Sequence, residues 1–173
     1  MKKFITTVVL AALPFVGIAQ TTAFSKLEDV EGIASVSLNK EMFQMLGSLE
    51  DSAKDEKAKS YLDLAGSIDN LKVYTTTEKK YKKQLKEVAA EYLKSNPLQE
   101  LMSVNKDGAK IRIYVKQGAD ESIIKEGLIL VENDDKKENA VLLSFTGNVN
   151  LKDIQDLKEF KNFTGGKGEK GAK

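Results

Sequence analysis

The side chains available for chemistry in this chain are limited, because the sequence contains neither histidine nor cysteine. This absence excludes a Ser-His-Asp triad, an imidazole metal site, a thiol nucleophile and a thiolate metal site. Arg112 is the only arginine in the sequence. Its scarcity weakens any phosphate-binding interpretation, because the guanidinium group of arginine is the side-chain group best suited to binding phosphate. We therefore predict no catalytic residue, no metal ligand and no cofactor from the sequence.

Two groups of acidic residues are candidate sites. Asp120, Glu121 and Glu126 would suit glycoside hydrolysis only if two of them converged in a cleft, and surface positions are favoured for all three. Glu126 is the most interesting, because an apolar run follows it. The acidic turn at residues 132–135 offers oxygen ligands for calcium, but it lacks the ligand spacing and central glycine of an EF-hand loop.

Cations and tyrosines alternate with apolar residues on two predicted strands. Arg112, Tyr114 and Lys116 share one face of a strand at residues 109–117, and Ile111, Ile113 and Val115 share the other. Lys72 and Tyr74 can join the first group from their own strand. Because tyrosine and arginine are common interface anchors, we predict that these residues form a binding surface on an exposed sheet face. An ordinary solvated face is the alternative.

A cluster of lysines occupies a predicted helix at residues 78–95. The cluster suggests contact with an anionic membrane surface or glycan, but a solvated face of an amphipathic helix is favoured because glutamates dilute the charge. Its members are Lys79, Lys80, Lys82, Lys83 and Lys86.

The hydrophobic periodicity predicts the elements that hold these side chains. The order β-α-α-β-α-β-β-β-β-α indicates an α+β fold, a two-layer sandwich with helices packed on one face of a mostly antiparallel sheet. The pattern predicts that the last four strands form a meander, with an Asp-Gly hairpin turn at residues 105–108. The predicted strands lie near residues 33–38, 71–77, 98–104, 109–117, 123–132 and 139–146, and the predicted helices near 40–49, 58–68, 78–95 and 151–160.

The N-terminal segment 1–19 has the parts of a cleavable signal peptide: two lysines, an apolar run too short to span a bilayer, and a small-x-small ending. We expect export to the periplasm or beyond, a mature chain starting near Gln20, and no lipid anchor. A single soluble domain at residues 20–163 and a disordered tail at 164–173 complete the expected organisation.

The charge balance of the chain argues against one class of partner, nucleic acids. Removing Lys2 and Lys3 from the 27 basic residues leaves 25 against 26 acidic ones, a net charge of −1. Such a balance argues against nucleic-acid binding, which needs a strong positive field.

Several segments together resemble an uncharacterised family of exported proteins from Gram-negative bacteria, catalogued only as a domain of unknown function. The resemblance covers about residues 24–160 and is carried by the order of the segments at 24–26, 32–42, 68–74, 101–104, 107–108 and 145–149. It implies no activity and no site residues. Many members look like lipoproteins, and this chain departs from them by having Ala19-Gln20 where they have a cysteine.

The sequence therefore favours a non-enzymatic cell-envelope protein that binds a partner protein, with at most peripheral membrane contact. Two alternatives stay open: a carboxylate-based hydrolase acting on glycans, and a peripheral binder of anionic surfaces that uses the lysine-rich helix.

Overall fold

A computed structural model describes residues 23–47, 62–106 and 108–152. The predicted signal peptide, the predicted tail and most of the last predicted helix lie outside the described residues, as do residues 58–61 of the second predicted helix. Among the described residues, none of the helices has the length and apolar character needed to cross a membrane.

The described residues form six strands and two helices, preceded by a 3-10 turn at Ser25–Leu27. Residues 62–66 are also helical, and a further helix begins at 151. In chain order the elements are β1 (Ala34–Asn39), α1 (Lys40–Gly47), β2 (Ile68–Thr76), α2 (Lys79–Ser95), β3 (Gln99–Lys106), β4 (Ala109–Gln117), β5 (Ile123–Asn133) and β6 (Ala140–Asn150).

All six strands belong to one antiparallel sheet with the order β1-β2-β6-β5-β4-β3. The predicted meander is confirmed, since β3, β4, β5 and β6 are neighbours in that order. Gly108 closes the β3–β4 hairpin with a φ of +81°, a conformation that glycine adopts without steric cost. Among the described residues, the first two strands extend the sheet beyond β6, which leaves β1 and β3 as its edges.

Helix α2 covers one face of the sheet, because its apolar stripe recurs at helical spacing. Leu85, Val88 and Tyr92 are buried against Leu128 and Leu142 of the central strands. The 3-10 turn completes this core with Leu27 and Phe24, whose ring stacks on Tyr92 at a centroid distance of 4.9 Å. The helix predicted at residues 78–95 is therefore confirmed, with these apolar side chains on its buried face.

The opposite face of the sheet is apolar as well. One register row crosses all six strands on this face and contains Met102, Ile113, Ile129, Leu143, Val73 and Val36. Beside it, Phe145 and Val115 form a second core cluster, against which Leu64 of the helical residues 62–66 packs. Helical residues thus lie on both faces, and the expectation of one buried and one wet face is wrong. β5 explains the difference, since six consecutive residues from Glu126 to Val131 are buried and the strand is covered on both sides.

Candidate functional site

The predicted binding surface on β2 and β4 lies on the face that α2 covers. In the register, Tyr114 is opposite Leu128 and Tyr74 is opposite Leu142, and both partners belong to the core under the helix. Tyr74 is only 2% exposed. Its placement on an exposed face is therefore wrong, because α2 and the 3-10 turn fold over the side of β2 and β4 that carries the tyrosines.

The five residues of that predicted surface also fall into two separate groups. Strands β5 and β6 lie between β4 and β2, and three strand spacings amount to about 14 Å. Arg112, Tyr114 and Lys116 on β4 are all half-buried. A single binding platform built from both strands does not form.

The β2 group is a small ionic cluster with Glu28, which follows the 3-10 turn. Lys72 donates to the Glu28 carboxylate at 2.7 Å, and the Tyr74 hydroxyl donates to the same oxygen at 3.3 Å. The hydrogen bond from Lys72 holds the pKa of Glu28 below its ordinary value, even though burial opposes this. Burial, reinforced by the neighbouring Glu28 charge, raises the pKa of Tyr74 above its ordinary range. The cluster attaches the 3-10 turn to the sheet.

The β4 group is held by a second carboxylate. Glu132 Oε1 accepts from Arg112 Nη2 at 2.7 Å and from Lys86 Nζ at 3.1 Å. The Nε atom of Arg112 is buried and makes no hydrogen bond. The guanidinium is thus engaged on one side by an internal carboxylate, and α2 is joined to the sheet through Lys86.

The lysine cluster of α2 makes several local contacts. Lys82 donates to the carbonyl oxygens of Asn133 at 3.1 Å and Asp135 at 2.6 Å, which ties the helix to the β5–β6 turn. Lys83 pairs with Glu87 along the helix, and Lys80 lies 5.1 Å from the centre of the Tyr81 ring. Together with the Lys86–Glu132 pair, these contacts engage four of the five lysines of the cluster.

The candidate carboxylates are used locally and do not converge. Asp120 accepts from the Ser122 hydroxyl at 2.7 Å and from the Ser122 amide at 2.8 Å, and this hydrogen bonding lowers the pKa of Asp120. Glu126 is only 2% exposed and accepts a hydrogen bond from the Tyr92 hydroxyl. The expected surface position of Glu126 is therefore wrong, because its strand is buried on both faces.

The acidic β5–β6 turn is organised by its own side chains. Asn133 Oδ1 accepts from the Asp135 amide at 3.1 Å, and Asp135 Oδ1 accepts from the Lys137 amide at 2.9 Å. The Lys82 ammonium group already contacts two carbonyl oxygens here. Within residues 23–47, 62–106 and 108–152, no group of acidic side chains is arranged to hold a metal ion.

The exposed surface that sequence reasoning missed is the edge strand β1 with helix α1. Residues 34–37 are all exposed, and Val36 retains 53% of its accessible surface. β1 contains no charged residue and no proline. Both residue types commonly protect an edge strand from pairing with another chain. The uncharged run was visible in the sequence, but its position at the sheet edge was not.

Helix α1 presents two methionines beside this strand. Asn39 begins the helix, since its Oδ1 atom accepts from the Met42 amide at 3.1 Å. Phe43 is buried and Lys40 pairs with Asp69 of β2 at 2.9 Å, so the helix is held against the sheet. Met42 and Met45 point outward, and Met45 is 72% exposed.

The opposite edge, β3, differs in its sequence and its regularity. Leu101 and Met102 are exposed there too, but the strand also contains Glu100 and Lys106. A register shift interrupts its pairing between Glu100 and Met102. Charged residues and bulges discourage pairing with another chain, so β1 is the less protected edge.

The chain matches the model of a known protein family. A family model described as "Domain of unknown function (DUF4252)" matches residues 25–157, a range that contains every strand described above. No curated protein and no protein of known structure matches the chain.

Proposed function

The chain belongs to the family described as a domain of unknown function (DUF4252), and since that description assigns no activity, we propose a function from the site itself. The protein is a non-enzymatic binding module of the cell envelope, and it recognises an extended, uncharged segment of a partner protein through the free edge of β1. Export rests on the signal-like segment 1–19.

One observation carries this proposal: β1 is an exposed edge strand without charge. An edge strand presents every second backbone N–H and C=O group away from its neighbour, and an added strand satisfies them. In β1 the exposed side chains of residues 34–37 are alanine, serine and valine, so nothing bulky or charged stands in the way of a partner backbone.

The apolar side chains beside this edge supply the second component of recognition. Val36 is exposed on β1, Met42 and Met45 are exposed on α1, and α1 follows β1 directly in the chain. Methionine side chains are flexible and polarisable and are common at adaptable binding surfaces. Backbone pairing would give affinity for an extended segment, and this apolar group would favour uncharged side chains on it.

The internal contacts of the charged residues support a non-enzymatic role. Glu126 is paired with Tyr92, Glu28 with Lys72, and Glu132 with Arg112. Each carboxylate joins two elements of the fold, which gives all three a structural role.

Site-specific photo-crosslinking in the producing cell tests the proposal. A photo-activatable phenylalanine analogue at position 36 should give a discrete covalent product, and the crosslinked peptide of the partner should be an extended, uncharged segment. The matched control carries the same analogue at position 102, on the other edge strand. Products from position 102 alone, or equal products from both positions, would contradict a binding site on β1.

A further inference from the structure

We propose that the segment bound at this edge is β1 of a second copy of the chain, so that the protein forms a dimer with one continuous sheet of twelve strands. This inference rests on the proposed function, because it names the partner of the same site. The two copies pair β1 with β1 in antiparallel fashion around a two-fold axis at Val36.

The first argument is that β1 itself matches the ligand that the edge requires. The strand is extended, uncharged and exposed along residues 34–37. In a two-fold dimer the same strand serves as site and as ligand, and antiparallel pairing of identical strands satisfies the free backbone groups of both copies.

The second argument comes from the alternation of side chains. Ala34, Val36 and Leu38 pair with β2 residues on the apolar face, and Ser35 and Ser37 lie on the face of α2. Directly opposite residues of an antiparallel pair lie on the same face. Pairing centred on Val36 therefore opposes Val36 to itself and Ala34 to Leu38 on one face, and Ser35 to Ser37 on the other, so that neither face is mismatched.

The third argument is the apolar row that ends at Val36. The row crosses the sheet from Met102 on β3 to Val36 on β1, with Val73 directly beside Val36. In the dimer the row continues into the second copy through a Val36–Val36 contact. The largest exposed apolar side chain of β1 is then covered, and burial of apolar surface stabilises the association.

The fourth argument is electrostatic. Charged side chains on an edge strand, like breaks in its register, discourage the addition of another strand. β1 has no charged residue, whereas β3 contains Glu100 and Lys106 and an interrupted register. Self-association is therefore assigned to β1 and not to β3.

Single-cysteine variants give a direct test, because the natural chain has no cysteine. In the proposed dimer the two copies of residue 36 have Cα atoms about 4.5–5.5 Å apart, within the range of about 4.4–6.8 Å that a disulfide spans. Val36→Cys should therefore crosslink to a covalent dimer under a mild oxidant. Ser37→Cys is the matched control, because its two copies are offset by about 7 Å along the strands and lie beyond disulfide range.

Sedimentation equilibrium over a concentration series supplies the reversible measurement. The wild-type protein should dimerise, and Val36→Lys should raise the dimer dissociation constant by about 100-fold, since it places two ammonium groups at directly opposed positions. Met102→Lys on the other edge should leave the constant unchanged. Circular dichroism and urea unfolding of each variant distinguish loss of association from loss of fold.

Three outcomes would overturn the inference. If the wild-type protein stays monomeric and Val36→Cys gives no crosslink, a second copy is excluded as the partner. A dimer that survives Val36→Lys places the contact elsewhere, and a crosslink from Ser37→Cys in preference to Val36→Cys excludes the proposed axis. If the photo-crosslinker at position 36 still captures another protein in the first case, the proposed function stands and only the identity of the partner changes.

Discussion

The hydroxyl of Tyr92 on α2 donates a hydrogen bond to the carboxylate of Glu126 on β5, and both side chains are almost fully buried. A carboxylate removed from water needs hydrogen-bond donors to offset its desolvation. Tyr92 supplies such a donor and also stacks its ring on Phe24. This pair therefore links the helix, the central sheet and the 3-10 turn at one point.

Removing the hydroxyl should destabilise the protein, although the ring keeps its packing. We expect Tyr92→Phe to lower the free energy of unfolding by about 1–3 kcal/mol, because it leaves the buried Glu126 carboxylate without this donor. Urea unfolding measures the change. Glu126→Gln in the same background should recover part of the loss, since a neutral amide is less costly to bury. Equal stability of wild type and Tyr92→Phe would show that the hydrogen bond contributes nothing.

The close approach of Phe145 to Gly127 predicts a glycine requirement in β5. The two residues are directly opposite each other on β5 and β6, and a Cβ atom at 127 would overlap the Phe145 ring. Gly127→Ala should therefore cost about 1–3 kcal/mol of unfolding free energy. Gly66→Ala is the control, since a Cβ atom there meets nothing within 4 Å and an alanine loses less backbone entropy on folding. A neutral Gly127→Ala would refute the predicted ring position.

The Glu28–Tyr74 pair predicts how stability depends on pH. The pKa of Glu28 is lowered from 4.5 by the Lys72 hydrogen bond, so its contribution is present above about pH 4.5 and is lost as the pH falls through the lowered pKa. The pKa of Tyr74 is raised from 10.0 mainly by burial, so its contribution is present below about pH 10 and is lost above it. Tyr74→Phe should flatten the alkaline decline in urea midpoints, and Lys72→Met should flatten the acid decline. Unchanged declines in both variants would contradict these assignments.

Lys82 ties helix α2 to the β5–β6 turn. Its ammonium group contacts two carbonyl oxygens of the β5–β6 turn. We expect Lys82→Met to cost about 1 kcal/mol and to speed amide exchange at residues 134–138, because charge-assisted hydrogen bonds are lost. Lys79→Met, on the same helix, should change neither. If both variants behave alike, Lys82 does not hold the turn.

Local periodicity made part of this structure predictable. Leu85, Val88 and Tyr92 recur at the spacing of one helix face, and Gly108 between β3 and β4 has a positive φ that requires the backbone freedom of glycine. Both signals are contained in a few neighbouring residues. They can therefore be recognised in the sequence without knowledge of the tertiary fold.

Long-range packing decided the features that the sequence did not reveal. The alternation in β4 shows that Tyr114 and Ile113 face opposite sides, but it does not show which side a helix covers. Glu126 looks like a surface residue until its strand is placed between β4 and β6. Likewise, the pattern of residues 34–39 predicts a strand, whereas its position at the edge follows from the pairing of β2 with β6.

Amide hydrogen exchange of β1, compared between the free chain and the chain bound to the partner captured from position 36, tests the central claim most directly. Strand addition at β1 predicts that those amides of residues 34–39 that point away from β2 exchange rapidly in the monomeric chain and become protected in the complex, while those of the other edge strand, β3, do not change. Unchanged exchange in β1, or new protection confined to β3, would contradict the assignment of the binding site to the β1 edge.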